Sequence, residues 1–195
     1  MSDSKDTRAS VSDQIVRFVC EFDSKEIPIN ARHVMRLSLI DWVAVAVAGR
    51  KEPAARILQN VGEDEGGKPE SFAIGCSHWL PARLAAKING TLSHALDYDD
   101  THFDSMGHTS VVVIPAALSL SDKMSVQPQL FLEAALIGVE LAVRIGTWLG
   151  RSHYHAGFHM TATAGTFGAA MASARILGLS SKQTRNALGV AASMA

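Results

Sequence analysis

The sequence predicts an all-α fold, an Ala-rich helical bundle with at most one short β element. Three observations predict it. Apolar residues recur at three- and four-residue spacing through most of the chain. The candidate helices are dense in Ala, Gly and Ser, as over Ala162–Ala174, and small residues let helices approach closely. Aromatic residues make up only 6% of 195 residues, and many alanines with few aromatics favour a tight bundle over a sheet sandwich.

The elements follow in order. Residues 1–10 are polar and mixed in charge, and are expected to form a disordered tail. Ser10 or Ser12 can cap a first helix, whose apolar positions are Ile15, Val16, Val19 and Phe22. After the linker Ile27–Pro28–Ile29, Asn30 is the expected cap of a second helix through Val34, Leu37, Ile40, Val43 and Val47, with Gly49 as its stop. Its nearly continuous apolar run predicts burial on most sides. Pro53 suits the first turn of a short third helix, Ala54–Val61. Residues 62–70 read as a surface loop and Ser71–Ile74 as the short strand. Pro81 opens a helix from Ala82 to about Asp97, and the His- and Asp-rich stretch Tyr98–His108 follows. Further helical patterns cover Ser110–Ser121, Gln129–Trp148 and Thr161–Leu177. Gly178 fits a stop, and Ser180 or Ser181 caps a last helix from near Lys182. The chain ends at Ala195 inside an apolar helical pattern without a stop signal.

Composition excludes several functions. With Lys+Arg 18 against Asp+Glu 19 the net charge is −1, which leaves no basic stripe for nucleic acid. A 47% hydrophobic content is too high for a disordered chain. No apolar run reaches the ~18 residues of a spanning helix; the longest stretch, Ala134–Leu149, is interrupted by Glu140 and Arg144. The N-terminus lacks the apolar segment of a signal peptide. Cys20 and Cys76 match no metal or redox spacing and read as small buried hydrophobes. A soluble, cytoplasmic protein is expected, and length alone predicts one complete domain.

Chemistry concentrates in the histidines, six of eight of which lie between His94 and His159. The first cluster is His94-Ala-Leu-Asp97-Tyr98-Asp99-Asp100-Thr101-His102, followed by Asp104 and His108; the second is His153-Tyr154-His155-Ala-Gly-Phe-His159. Imidazoles titrate near neutrality, with an ordinary pKa of about 6.5, and a neighbouring carboxylate orients the ring for acid–base work. His108 and His159 each precede a helix start, where free N–H groups and the helix dipole attract anions such as carboxylates. Asp97 continues an apolar pair and needs a partner. Asp99, Asp100 and His102 have a second reading as a solvated helix end. His153 and His155 read as surface residues, and His33 and His78 as structural or exposed. Asp100-Thr-His-Phe-Asp104 loosely resembles the aspartate-rich helix motif of class I isoprenoid synthases, which holds magnesium, but the spacing is off by one and no second motif accompanies it.

Taken together, several segments resemble the MmgE/PrpD family. They are Asn89-Gly90, His94 through His102, His108-Thr-Ser-Val-Val-Val-Ile-Pro115-Ala, Gly157-Phe158-His159, Gly165-Thr-Phe-Gly168, Ile176-Leu-Gly178-Leu and Asn186-Ala-Leu-Gly189. The resemblance runs from about Val11 to the last residue. It implies that residues 11–195 are the N-terminal part of a helical domain truncated at its C-terminal end, with the family's α/β lid and a catalytic lysine absent. It further implies a lyase of small di- or tricarboxylates, similar to 2-methylcitrate dehydratase or cis-aconitate decarboxylase, needing neither metal nor organic cofactor, and a homodimer when full length. Iminodisuccinate epimerase belongs to the same family, so an isomerase is one alternative; a catalytically inactive helical fragment is another. By position the resemblance makes Asp97, His108 and His159 catalytic, and Thr101, Asp100 and His102 substrate-binding. His108-Thr109 and His159-Met160 depart from the family's frequent His-Pro at both places.

Overall fold

The computed structural model describes residues 9–195. The expected tail therefore lies, up to residue 8, outside the described residues. Among those described, the chain forms eight α-helices and one 3₁₀ turn. They are α1 (Val11–Glu21), α2 (Ile29–Gly49), α3 (Pro53–Glu65), α4 (Ala82–His94), α5 (Ser110–Met124), α6 (Pro128–His155), α7 (Met160–Ile176) and α8 (Ser181–Met194), with the 3₁₀ turn at Ser24–Glu26.

The first and last helices begin as the sequence predicts. Ser10 accepts the Asp13 N–H while Asp13 reaches back to the Ser10 backbone, and Ser180 and Gln183 repeat the arrangement at α8. Other boundaries move. Helix α2 starts one residue before the expected cap, after Pro28, and Asn30 lies in its first turn. Helix α3 runs on to Glu65, through the start of the expected loop. The expected strand at Ser71–Ile74 is a single antiparallel bridge between Ser71 and Leu80. It is held from the side by Asp122, which accepts from the Ser71 hydroxyl at 2.8 Å and the Phe72 N–H at 3.2 Å. Helix α4 stops at His94, three residues early, and Asp97 takes a left-handed backbone with φ +54°. Helix α6 extends past Trp148 to His155, interrupted at Gly150, whose φ of +67° only glycine adopts freely.

Three apolar clusters build the interior. The central one joins α2, α5, α6 and α7 through Trp42, Ile114, Phe131 and Ala172. A second packs Ala46, Ala55, Leu84 and Ile88 between α2, α3 and α4. A third binds α1 and α8 onto α6 and α7 through Val19, Ile137, Met171 and Leu188. Arg175 on α7 clasps the end of α1, donating to the carbonyls of Val19, Cys20 and Phe22 at 3.0, 3.3 and 3.1 Å.

One expectation fails outright. Helix α2 is not buried on most sides: Val34, Leu37, Ile40, Val43 and Val47 are all exposed. Met35, Trp42, Val45 and Ala46 take the core face, and no described element packs on the other side of the helix. Cys20 and Cys76 are free thiols, half-buried rather than buried. No helix among the described residues is long and apolar enough to cross a membrane.

Helices α6 and α7 meet across two glycines. A Cβ at Gly138 would lie 2.6 Å from the Gly168 carbonyl oxygen, and one at Gly168 would lie 2.5 Å from that of Gly138. Backbone cannot yield as a flexible side chain does, so added volume must push the pair apart. Gly138→Ala should therefore cost about 1–3 kcal/mol, read as a lower urea midpoint at unchanged slope; an unshifted midpoint refutes the close approach.

Candidate active site

The site forms where α4 ends, α5 and α7 begin, and the segment from residue 95 to residue 109 links them. That segment is fixed at several points. The Asp100 N–H donates to Asp41 of α2 at 3.1 Å, and the Asp100 carboxylate accepts from the N–H and hydroxyl of Ser110, the first residue of α5. The His108 N–H donates to Thr161 Oγ1 on α7 at 3.0 Å. Between these anchors the chain folds on itself, with the His102 N–H donating to the Gly107 carbonyl at 3.0 Å. Asp100 and Asp104 thus sit outside any helix and share no helix face, which removes the aspartate-rich helix reading.

Asp99 is the centre of the arrangement. It is 4% exposed, so it is not part of a solvated helix end. Its Oδ1 accepts from His94 Nδ1 at 2.9 Å. Its Oδ2 lies 3.0 Å from His108 Nδ1, off the N–H direction, and has no hydrogen bond. The His108 Nδ1–H is directed at the Asp99 carbonyl oxygen at 3.2 Å. Carboxylate and carbonyl oxygens only accept, so both rings carry hydrogen on Nδ1. Both Nε2 atoms then face Asp97, whose Oδ1 is 3.7 Å from His108 Nε2 and 4.0 Å from His94 Nε2. The left-handed backbone of Asp97 is one that Asp tolerates better than most residues. The two rings lie 4.9 Å apart by centroid, and His159 stacks beside His94 at 6.0 Å.

A cleft of about 850 Å³ opens next to this cluster. One face of α4 lines it with Lys87, Gly90, Thr91 and His94, and His159 and Thr161 line it at the start of α7. His94 and His159 are where cleft and cluster meet. Asp97, Thr101 and His108 adjoin it behind His94, with Thr101 Oγ1 3.3 Å from His108 Nδ1.

Each residue expected at the site can now be placed. Asp97, Thr101, His108 and His159 come together. Asp100 is engaged at the α5 start, and His102 is turned into its own loop, accepting the Ser105 N–H at 3.2 Å. Two residues given no role in the sequence reading, His94 and Lys87, stand on the cleft wall, and Asp99 proves to be the organising group. The spacing 87, 90, 91, 94 is itself one helical face, so the polar stripe of α4 was visible in principle.

The sequence profile of the MmgE/PrpD N-terminal domain matches residues 13–195. The chain belongs to the MmgE/PrpD family. It is 27% identical over 196 residues to the cis-aconitate decarboxylase-like protein oryM of Aspergillus oryzae, covering 95% of this chain and 40% of that protein. It is 24% identical to the cis-aconitate decarboxylase of Aspergillus terreus over 96% of this chain and 40% of that one. The human cis-aconitate decarboxylase is 33% identical over 121 residues, which is 60% of this chain and 25% of the human protein. The chain thus spans about two fifths of the length of the fungal MmgE/PrpD relatives.

The hydrogen bond that His94 donates to Asp99, helped by the charges of Asp99 and Asp97, raises the His94 pKa above its ordinary value against the opposing effect of burial. The folded protein therefore holds this proton more tightly than the unfolded chain. The stabilisation is complete below the ordinary imidazole value of about 6.5 and is lost as pH rises through the raised value. An NMR titration should place the His94 midpoint above the ordinary imidazole value of about 6.5, and Asp99→Asn should lower it. A His94 midpoint at or below the ordinary value contradicts the assignment.

Proposed function

We propose that the protein is a lyase acting on a small di- or tricarboxylate, of the cis-aconitate decarboxylase or 2-methylcitrate dehydratase kind. Its chemistry is acid–base catalysis beside a carboxylate, without a metal or organic cofactor. The observation that carries this reading is the pair of imidazoles held by Asp99, His94 through the buried carboxylate and His108 through the backbone carbonyl, at the end of a cleft that also carries His159 and Lys87. The names of the MmgE/PrpD relatives agree with it.

In this reading His108 is the proton carrier. Its Nδ1–H is occupied by the Asp99 carbonyl, so Nε2, 3.7 Å from Asp97 Oδ1, gives and takes the proton. In a decarboxylation the bond to one carboxylate breaks and carbon dioxide leaves. The electron pair stays on the carbon skeleton, spread toward a neighbouring carboxylate, and protonated His108 delivers its proton to carbon. Lys87, Thr101 and His159 hold carboxylate oxygens and stabilise the charge that develops. The α5 and α7 starts add N–H groups and dipoles of the right sign. Asp100 and His102 support the site by holding its loop.

A second reading, a helical half that catalyses nothing alone, is favoured by the exposure of Asp97, Thr101 and His159. Chemistry of this kind gains from excluding water. The gene product incubated with cis-aconitate should release carbon dioxide. His108→Ala should lower turnover by about 10²–10⁴-fold. An unchanged rate in that variant refutes the role of His108, and no turnover of cis-aconitate or 2-methylcitrate by the wild-type protein supports the inactive reading.

A further inference from the structure

We propose that the His94–Asp97–His108 cluster is a binding site for one divalent transition-metal ion of the zinc class, with Asp99 as its outer carboxylate. One ligand atom from each of His94, Asp97, Asp99 and His108 lies within 4.8 Å of the others. The two Nε2 atoms carry lone pairs in the neutral rings, because Nδ1 of each is the protonated nitrogen. Both sit within 4.0 Å of one Asp97 carboxylate oxygen. Metal–ligand bonds of about 2.0–2.2 Å place ligand atoms roughly 3.3 Å apart in a tetrahedron. The two separations from Asp97 Oδ1, 3.7 Å to His108 and 4.0 Å to His94, therefore need to close by about 0.4 and 0.7 Å. Asp97 supplies that movement, since its side chain is 79% exposed.

Asp99 does what a buried carboxylate behind metal-binding histidines does. Its carboxylate fixes the tautomer and orientation of His94, its backbone carbonyl does the same for His108, and the far nitrogens become better donors. Its Oδ2 is fully buried without a hydrogen bond, so the cluster holds carboxylate charge that its own donors do not satisfy. A divalent cation balances two carboxylates where two neutral imidazoles do not. Two nitrogens and one oxygen suit zinc, cobalt or nickel, whereas magnesium prefers all-oxygen ligands.

The ion takes the Nε2 lone pair that proton transfer needs, so it inhibits the reaction proposed above. That consequence rests on the proposed function; the binding does not. The test is calorimetric titration of the purified protein, free of substrate, with zinc chloride, and in parallel with magnesium chloride. One zinc ion per chain is expected, with no magnesium uptake. Asp97→Asn should weaken zinc binding at least tenfold and His94→Ala should abolish it, while His155→Ala, at an exposed histidine, leaves it unchanged. Should His94→Ala not fold, the exposed Asp97 still decides. Absence of stoichiometric zinc binding overturns the proposal, as does binding that Asp97→Asn leaves intact.

Discussion

A carboxylate buried as deeply as Asp99 constrains everything around it. Removing an ionised group from water costs several kcal/mol unless neighbouring donors compensate. Here His94 at the end of α4 compensates one carboxylate oxygen, while His108 just before α5 donates to the Asp99 carbonyl and brings its ring against the other. Those two donors can reach Asp99 only if α4 stops at His94 and the chain reverses at once. The left-handed Asp97 makes that reversal and returns its own carboxylate to the far side of the same rings. The polar site is thus a consequence of one half-satisfied burial, with Oδ1 paired and Oδ2 not. Its two acids, one buried and one exposed, hold opposite edges of two imidazoles.

The helical scaffold exists to hold those groups still. Helices α6 and α7 are locked by reciprocal glycine contacts, which fixes where α7 begins and hence where Thr161 and His159 stand. Thr161 then takes the His108 N–H, and Asp100 takes the first N–H of α5. Positions set by backbone and by short side chains lose little entropy on ordering. A site built this way is preorganised for the charge changes of proton transfer beside a carboxylate.

Much of this was legible in the residues. The serine caps, settled at Ser10 rather than Ser12 and at Ser180 rather than Ser181, the stop at Gly49 and the run of small residues on α7 are local signals, and the structure follows them. The boundaries that moved are those decided by distant partners. Ser71–Ile74 has strand-like residues, yet only Leu80 lies opposite, so a bridge forms and no sheet. The apolar repeat of α2 predicts burial, but a repeat records only that a face is apolar and not whether anything covers it. The same limit governs the site. The structure brings Asp97, Thr101, His108 and His159, which the resemblance singled out, to one end of the cleft. The motif could not tell which of Asp97, Asp99 and Asp100 is buried, because three acids within four residues point in three directions once the helix has ended. Lys87 and His94 share a face with Gly90 and Thr91, a pattern that becomes informative only when α4 is known to border a cleft.

The account stands on the two imidazoles being held through Nδ1 by Asp99, leaving Nε2 toward Asp97. Long-range ¹⁵N–¹H correlation spectra of the protein, recorded where the rings are neutral, report the tautomer of each histidine directly. Hydrogen on Nδ1 is predicted for both His94 and His108. Hydrogen on Nε2 of either ring would contradict the arrangement from which the site's chemistry has been derived.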